Sequence, residues 1–474
     1  MKIAKVIPLF KKENPELVDN YRPVSLLCAI SKVFEKTAYN QLYNYFKINN
    51  LFYNSQYGFR DEHSTELASI ELIDRIFTDI DKKKNPITVY MDLSKAFDTL
   101  DHKILLHKLK YYGINGAALS WFDSYLSNRL QYVEIDSSKS SYLSLSTGVP
   151  QGSILGPLLC LIYMNDRTES SSYFKFILYA DDSTLKSVIN TNDKNVTTTE
   201  TSLIINKELE RVNNWLAVNK LSLNVKKTKF MVFHTIQKVI SPFVPDLKIG
   251  NVTLDRVKNF NFLGLTLNEN MSWKPHTDIV ANKISKYIGV MNRLKRYLPS
   301  HILKTIYNSL IQSNLNYSLL AWGFNCGRLK QLQKKAIRII ANAKYNSHTE
   351  PIMKKLEILK LEDLFKLNML KWYFRFENKQ LPNYFLSYKV KKQSLIHEYP
   401  TRINSQVFPP HTRIKTTEYC LRNRISVVLN TTPELVIEKV HTHSYHGFSH
   451  YAKRDMISKY SEVCNIENCY VCKS

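Results

Sequence analysis

Three carboxylates, Asp92, Asp181 and Asp182, are the residues whose types and spacing could do chemistry. Asp92 ends the short apolar, β-branched run Pro86-Ile87-Thr88-Val89-Tyr90-Met91. Asp181 and Asp182 lie between the apolar run Phe176-Ile177-Leu178-Tyr179 and a mixed polar and apolar run from Ser183. That pattern reads as a β-hairpin with two acids at its tip. An acid pair at a turn also has a purely local explanation, since Asp hydrogen-bonds nearby backbone there. A strand that delivers Asp92 beside the hairpin changes the reading. Three such charges repel one another unless something neutralises them. Carboxylate oxygens on rigid strands suit Mg²⁺, which binds through a few carboxylates plus substrate phosphates. Two ions held there would clamp the attacking and leaving oxygens of an in-line phosphoryl displacement, the chemistry of nucleotidyl transfer.

The surrounding elements must position these acids. Lys5 to Lys12 reads as a short strand ending in two lysines, and Asn20 to Leu27 as its return. Lys11 and Arg22 on such a hairpin could neutralise a triphosphate, although on sequence alone they read first as solvated loop charges. Apolar spacing predicts helices from Ser31 to Asn49 (with Ser31 as N-cap), Glu66 to Asp81, Ala117 to Leu126 and Leu203 to Ala217, with Trp215 in the core. Arg129 to Ile135 and Tyr142 to Thr147 read as paired strands. The loop Gly148 to Gly152 opens a helix from Ser153, and its glycines permit close approach of another backbone. Asp98 reads as the cap of a helix beginning near Leu100. From Lys274 to Tyr345 there are 13 Lys and Arg against one acid, Asp278. Apolar residues recur there at helical spacing over Ile279 to Leu294, Ile302 to Leu315 and Leu329 to Ile340. Three helices with basic faces would track a duplex backbone without reading its sequence.

Composition agrees with a nucleic-acid partner. The 474 residues are 44% hydrophobic and 12% aromatic, enough for several subdomains around a sizeable core. Lys and Arg number 66 against 41 Asp and Glu, and the resulting +25 points to a polyanion. No apolar run approaches the ~20 residues that span a bilayer, and Met1 to Pro8 is too short and charged for a signal peptide. The expected location is intracellular, in cytoplasm or nucleus, without membrane association or a targeting signal. Seven scattered cysteines suit a reducing compartment. Cys464, Cys469 and Cys472 follow His441, His443, His446 and His450. With His450 they could bind Zn²⁺, though the spacing fits no standard module.

In chain order stand Asp92-x-x-x-Ala96-Phe97-Asp98, then Gly148-Val149-Pro150-Gln151-Gly152-Ser153-Ile154-Leu155-Gly156-Pro157, then Tyr179-Ala180-Asp181-Asp182. The first and last acids are 181 − 92 = 89 residues apart. This order resembles a reverse transcriptase, and more narrowly the polymerase of non-LTR (LINE-type, jockey/CR1-like) retrotransposons. The resemblance implies an α+β right-hand polymerase: fingers and palm over 1–267, a helical basic thumb over 268–345, and a helical C-terminal extension over 346–474. It implies two Mg²⁺ ions, with Mn²⁺ as an alternative, on Asp92, Asp181 and Asp182. Asp182 would be the weaker ligand, because neighbours on extended backbone point apart.

By the same resemblance Lys11 (with Lys12 competing), Arg22, Phe97 and Gln151 contact the incoming nucleotide. Phe97 would lie under its sugar and leave no room for a 2′-hydroxyl. Gln56-Tyr57-Gly58-Phe59-Arg60 matches a fingers motif that lies against the template, with Arg60 as a phosphate contact. Gly152, Tyr179, Lys229 and Gly264 would complete the template–primer contacts. One of Lys226, Lys227 and Lys229 could protonate the departing pyrophosphate, and Phe262 to Leu267 would be the primer grip. The implied partners are an RNA template, a DNA primer and dNTPs, with oligomeric state left open. No stretch supplies the endonuclease that elements of this family usually encode, so one is expected from elsewhere. Rival readings are a viral RNA-dependent RNA polymerase, a group II intron maturase-type reverse transcriptase, and a catalytically silent nucleic-acid-binding remnant.

Overall fold

The computed structural model describes residues 2–11, 14–189, 198–235, 245–324, 326–388, 390, 407, 412–413 and 420–462. The chain is a mixed α+β protein and forms two compact units. The first comprises Met1–Ser64, Asn85–Val232 and Ile240–Val257, and the second Thr65–Lys84, Phe233–Val239 and Lys258–Ser474.

The first unit begins with β1 (Ile3–Phe10) and its antiparallel partner β2 (Tyr21–Leu26), with Leu9 opposite Arg22. Helix α1 (Ala29–Ile48) follows. Its N-cap is Cys28, and Ser31, expected as the cap, lies inside the first turn. The reason is Glu35, only 1% exposed, which accepts from Ile154 N at 2.7 Å and from the Tyr125 hydroxyl at 3.2 Å. Those bonds seat α1 against later parts of the chain. Helix α2 (Thr65–Asp81) folds with the second unit.

The central sheet then starts with β3 (Asn85–Met91), which is buried at every residue. This explains its continuous rather than alternating apolar run. After α3 (His102–Tyr111) and α4 (Gly116–Leu126), β4 (Arg129–Ile135) pairs parallel to β1. The short strands β5 (Ser138–Lys139) and β6 (Leu143–Leu145) fold back antiparallel onto β4. Helix α5 (Leu155–Met164) buries every residue but Pro157. The catalytic-hairpin candidates β7 (Lys175–Tyr179) and β8 (Asp182–Ile189) follow, then α6 (Thr198–Val218) and β9 (Lys229–Val232). Three two-residue strands, β10 (Lys248–Ile249), β11 (Val252–Thr253) and β12 (Asp255–Arg256), end the unit. The central order is β12-β9-β3-β8-β7. One core joins β3, β7, β8 and β9 to α1, α3, α4, α5 and α6 through residues such as Val89, Leu159, Tyr163, Leu185 and Phe230. Trp215 packs partly buried against it.

The second unit contains the hairpin β13 (Asn259–Phe262) and β14 (Leu265–Asn268). Its helices are α7 (Lys274–Leu294), α8 (Ser300–Ile306), α9 (Ser313–Asn316), α10 (Leu319–Trp322), α11 (Gly327–Ile340), α12 (Glu350–Leu356) and α13 (Leu361–Glu377). Then come α14 (Asn383–Leu386), α15 (Leu421–Thr431), α16 (Glu434–Thr442) and α17 (Tyr445–Ser458). A π-helical stretch, Tyr307–Gln312, joins α8 to α9. The apolar faces of α7 and α11 are buried, while Lys283, Lys286, Arg293, Lys295, Arg296, Lys334 and Lys335 are exposed. Gln333 is buried but satisfied, bonding the Tyr307 hydroxyl, Leu359 O and Leu361 N at 2.9 Å each. Amphipathic spacing suggested one wet face for α2, yet Glu71 and Asp74 are also buried. The Tyr388 hydroxyl donates to the Asp74 carboxylate, and the Arg75 Nε to Glu71 at 2.7 Å. No helix among the described residues is long and apolar enough to cross a membrane.

Candidate active site

The antiparallel register of β3 and β8 pairs Met91 with Ser183 and Tyr90 with Thr184. One step further along that register Asp92 faces Asp182. Tyr179 pairs with Asp182, so Ala180 and Asp181 form a two-residue turn. On the other side of β3, the Asn224 N–H donates to Asp92 O at 2.8 Å, and Leu93 bridges to Leu223. The acids therefore gather where the central strands end.

Burial raises Asp181 above its usual value; Asp92 adds to the rise, while Arg167 and Lys11 oppose it. Burial together with the charges of Asp181 and Asp92 pushes Asp182 up to about 6, although the residue as a whole is exposed. Arg167 lies behind these acids, 1% exposed, with Nε and Nη2 lacking hydrogen-bond partners. Burial pushes its guanidinium down to about 10, and the carboxylates of Asp181 and Asp182 partly offset that.

Among the described residues no three Asp, Glu, His or Cys side chains stand ready to hold a metal ion. Mg²⁺ keeps several waters and takes one or two carboxylates with substrate phosphates. Hard oxygens on an open strand end fit an ion that arrives with its nucleotide, not a closed cage. A thermal measurement follows from the raised values. A carboxyl whose folded pKa is raised stabilises the fold while protonated, and that contribution is lost as pH rises through the folded value, here toward about 6 for Asp182. A bound cation favours the ionised form and restores it. Added Mg²⁺ is expected to raise the melting temperature by a few degrees at about pH 7.5 and by less at about pH 5. Equal shifts at both values would assign the effect to other groups.

The segment 95–102, which follows Asp92 in the chain, and the loop 147–152 hold each other through a set of hydrogen bonds. Helix α3 is capped by Asp101, whose Oδ1 accepts from Ile104 N at 3.0 Å. That corrects the assignment of Asp98 as cap. Asp98 instead receives Gln151 Nε2 at 2.9 and 3.1 Å on its two oxygens. Val149 N donates to Phe97 O at 2.9 Å, and His102 Nε2 lies 2.7 Å from Gly148 O. Gly152 has φ +120°, and a Cβ there would lie 2.7 Å from Ser25 O, so the loop and β2 touch backbone to backbone. Phe97 is half-buried, with Phe59 edge-on at 6.3 Å between centroids.

Lys11 follows β1, bonds Asn20 O through its N–H at 2.9 Å, and lies within electrostatic reach of Asp181 and Asp182. Arg22 is exposed on β2. Tyr179 ends β7. Arg60, expected at a phosphate, is turned inward: its Nη1 donates to Tyr53 O at 2.8 Å, and its guanidinium stacks on Phe52 at 5.0 Å. The Lys229 Nζ is likewise engaged, with Asp255 at 2.6 Å and Lys226 O at 2.7 Å. Gly264 belongs to the second unit, in the turn between β13 and β14 at φ +83°, against the Tyr317 ring. His450 is exposed on α17, whereas Cys464, Cys469 and Cys472 lie outside the described residues. Sequence reasoning placed Gln56 in a fingers motif without a role of its own and passed over Glu35 and Arg167, which stand among other polar residues and give no local signal.

The site thus combines strands ending in acids, a glycine-containing loop and a half-buried aromatic. Residues 10–267 match the family described as "Reverse transcriptase (RNA-dependent DNA polymerase)", and the chain belongs to that family. It is 28% identical over 366 residues to the "Probable RNA-directed DNA polymerase from transposon BS" of Drosophila melanogaster, covering 73% of this chain and 39% of the relative. It is 26% identical over 377 residues to the "RNA-directed DNA polymerase from mobile element jockey" of the same species, covering 76% and 40%. These relatives agree with the jockey-type resemblance in the motifs, and the chain spans about two fifths of their length. The solved structure of apo telomerase from Candida tropicalis aligns over 93% of this chain and 69% of that one at 12% identity, with a TM-score of 0.42.

Proposed function

We propose that this chain is the polymerase of a non-LTR retrotransposon, adding dNTPs to a primer 3′-hydroxyl on an RNA template and releasing pyrophosphate. The observation that carries this reading is the gathering of Asp92, Asp181 and Asp182 at one end of β3 and β8, with two of them raised by burial and mutual repulsion. The chain is read as a right hand, with fingers and palm over 1–267, thumb over 268–345 and extension beyond.

Asp92, Asp181 and Asp182 would hold two Mg²⁺ or Mn²⁺ ions, which supply charge neutralisation and a lower pKa for the attacking hydroxyl. Lys11 and Arg22 draw in the triphosphate and offset charge on the leaving pyrophosphate. The primer 3′-oxygen bonds to the α-phosphorus as the bond to pyrophosphate breaks. Gln151, whose amide donates to Asp98, contacts the incoming nucleotide in this reading. The exposed lysines and arginines of α7 and α11 bind the template–primer backbone, so affinity should fall steeply with salt.

The test is extension of an oligo(dT) primer on poly(rA) with dTTP and Mg²⁺. Template-dependent extension is expected. No extension, with salt-sensitive primer–template binding intact, would favour the silent remnant. Phe97 makes a second prediction, because its half-buried ring meets the Phe59 ring edge-on beside the Gly148 to Gly152 loop. Phe97→Val is expected to raise ribonucleotide relative to deoxynucleotide incorporation roughly 10–200-fold, the usual worth of a small steric difference in a pocket. Single-nucleotide incorporation with UTP against dTTP reads this directly, and an unchanged ratio would remove Phe97 from sugar selection.

A further inference from the structure

The segment Ser55 to Gly58 runs along the free edge of β7. Leu178 N donates to Ser55 O at 2.9 Å, and Tyr57 N to Leu178 O at 2.8 Å, which makes Gln56 a parallel bridge partner of Leu178. The Gln56 side chain, in a residue only 3% exposed, then reaches past Leu178 to the hairpin turn. Its Oε1 accepts from Ala180 N at 3.0 Å and from Gly58 N at 2.9 Å. Its Nε2 donates to Ala180 O at 3.3 Å. Both backbone groups of one residue are thus held by one amide, 124 residues upstream.

The residue so held is strained. Ala180 has φ +56° at the first position of a two-residue hairpin turn. That position favours glycine, because a Cβ crowds the backbone there. Left-handed backbone of this kind persists only where surrounding contacts impose it. Gly58 allows the close approach: a Cβ at 58 would lie 2.2 Å from Ala180 N and 2.9 Å from its Cα. The next residue after the strained one is Asp181.

We infer that Gln56 is a positioning residue for the catalytic hairpin, its side-chain amide holding Ala180 in the left-handed conformation that directs Asp181 toward Asp92. This rests on the polymerase reading for its consequence in catalysis, but not for its consequence in cation binding. The glutamine amide offers an acceptor and a donor on one uncharged terminus. Methionine matches the length and supplies neither. Asparagine keeps the amide and falls short by one methylene. Without the clamp, the buried N–H and C=O of Ala180 lose their partners, and the turn is free to relax away from positive φ. Glycine at 180 occupies positive φ without the clamp, so it should make Gln56 dispensable.

The test is a double-mutant cycle of Gln56→Met and Ala180→Gly, with Gln56→Asn as the milder variant should Gln56→Met fail to fold. Each protein is read by Mn²⁺ binding in electron paramagnetic resonance without nucleic acid, by kcat and KM for dTTP on oligo(dT)/poly(rA), and by melting temperature. Gln56→Met is expected to weaken Mn²⁺ binding and to lower kcat on the order of 10²-fold, the usual result of misplacing a reacting group by about 1 Å. KM for dTTP should rise far less than kcat falls, because Lys11 and Arg22, which draw in the triphosphate, are untouched. In the Ala180→Gly background the same substitution should cost about tenfold less in both readouts. Unchanged Mn²⁺ binding and kcat in Gln56→Met would overturn the inference, as would losses of equal size in both backgrounds. If the wild-type chain extends no primer yet Gln56→Met weakens Mn²⁺ binding and Ala180→Gly lessens that loss, the polymerase reading fails and the positioning role stands.

Discussion

Asp181→Asn is expected to lower primer extension by at least about 10³-fold while leaving primer–template binding unchanged. Its carboxylate is one of three at the end of β3 and β8, and a cation bound there contributes several kcal/mol of charge stabilisation in the transition state. About 4 kcal/mol corresponds to a factor of ~10³. Asp92→Asn should act alike, since Asp92 adds to the rise of both hairpin acids and so lies among them. Asp182→Asn should cost less, because residue 182 is exposed and neighbouring side chains on extended backbone point apart. Binding should survive in all three, because the exposed basic residues of α7 and α11 belong to a different part of the chain. Stability separates this loss from unfolding. Removing one acid relieves repulsion among the remaining two, so without Mg²⁺ the variants should melt at or above the wild-type temperature. Primer extension, filter binding across a salt series and a thermal scan together check the prediction. Wild-type-like extension by Asp181→Asn would place the chemistry elsewhere.

Gly58→Ala is expected to reduce activity on the order of 10²-fold through the same hairpin, although residue 58 carries no reactive group. The atoms its Cβ would meet are all backbone: Ala180 N at 2.2 Å, Ala180 Cα at 2.9 Å and Tyr179 C at 3.0 Å. No side-chain rotation relieves such a clash, so either the 55–58 segment lifts from β7 or the hairpin shifts. Overpacking of this kind costs about 1–3 kcal/mol in stability. The control is Gly289→Ala in α7, where an added Cβ meets nothing within 4 Å. There helix propensity alone acts, and stability should rise by up to about 1 kcal/mol. Denaturant unfolding of both variants, with primer extension of the first, gives the comparison. A Gly58→Ala protein with wild-type stability and activity would show that the segment yields without consequence.

Much of the first unit was legible locally. The run Pro86 to Met91 ended at Asp92 because a strand buried on both faces reads as a continuous apolar stretch, and β3 is such a strand. The hairpin was legible because an apolar run, a turn and a return strand are adjacent in the chain. Helices α7 and α11, in the second unit, followed from apolar residues recurring every three to four positions.

By itself, then, the sequence determined which acids end the strands, which runs are strands or helices, and which family the motif order belongs to, because each of these is written in residues close together or in fixed order. Only the tertiary structure decided what polar side chains do once distant segments meet. Asp101 rather than Asp98 caps α3, because Gln151 arrives from 53 residues downstream to occupy Asp98. Arg60 turns into its own loop, because the carbonyls of Tyr53 and Gln56 and the Phe52 ring offer more there than water does. Glu35 fixes the start of α1 through Ile154 and Tyr125. Gln56 reaches a turn 124 residues away. A hydrogen bond depends on atoms placed to within a few tenths of an ångström, and that placement comes from packing the whole core. Apolar periodicity depends only on which face a residue occupies, and the order of residues along the chain already specifies that.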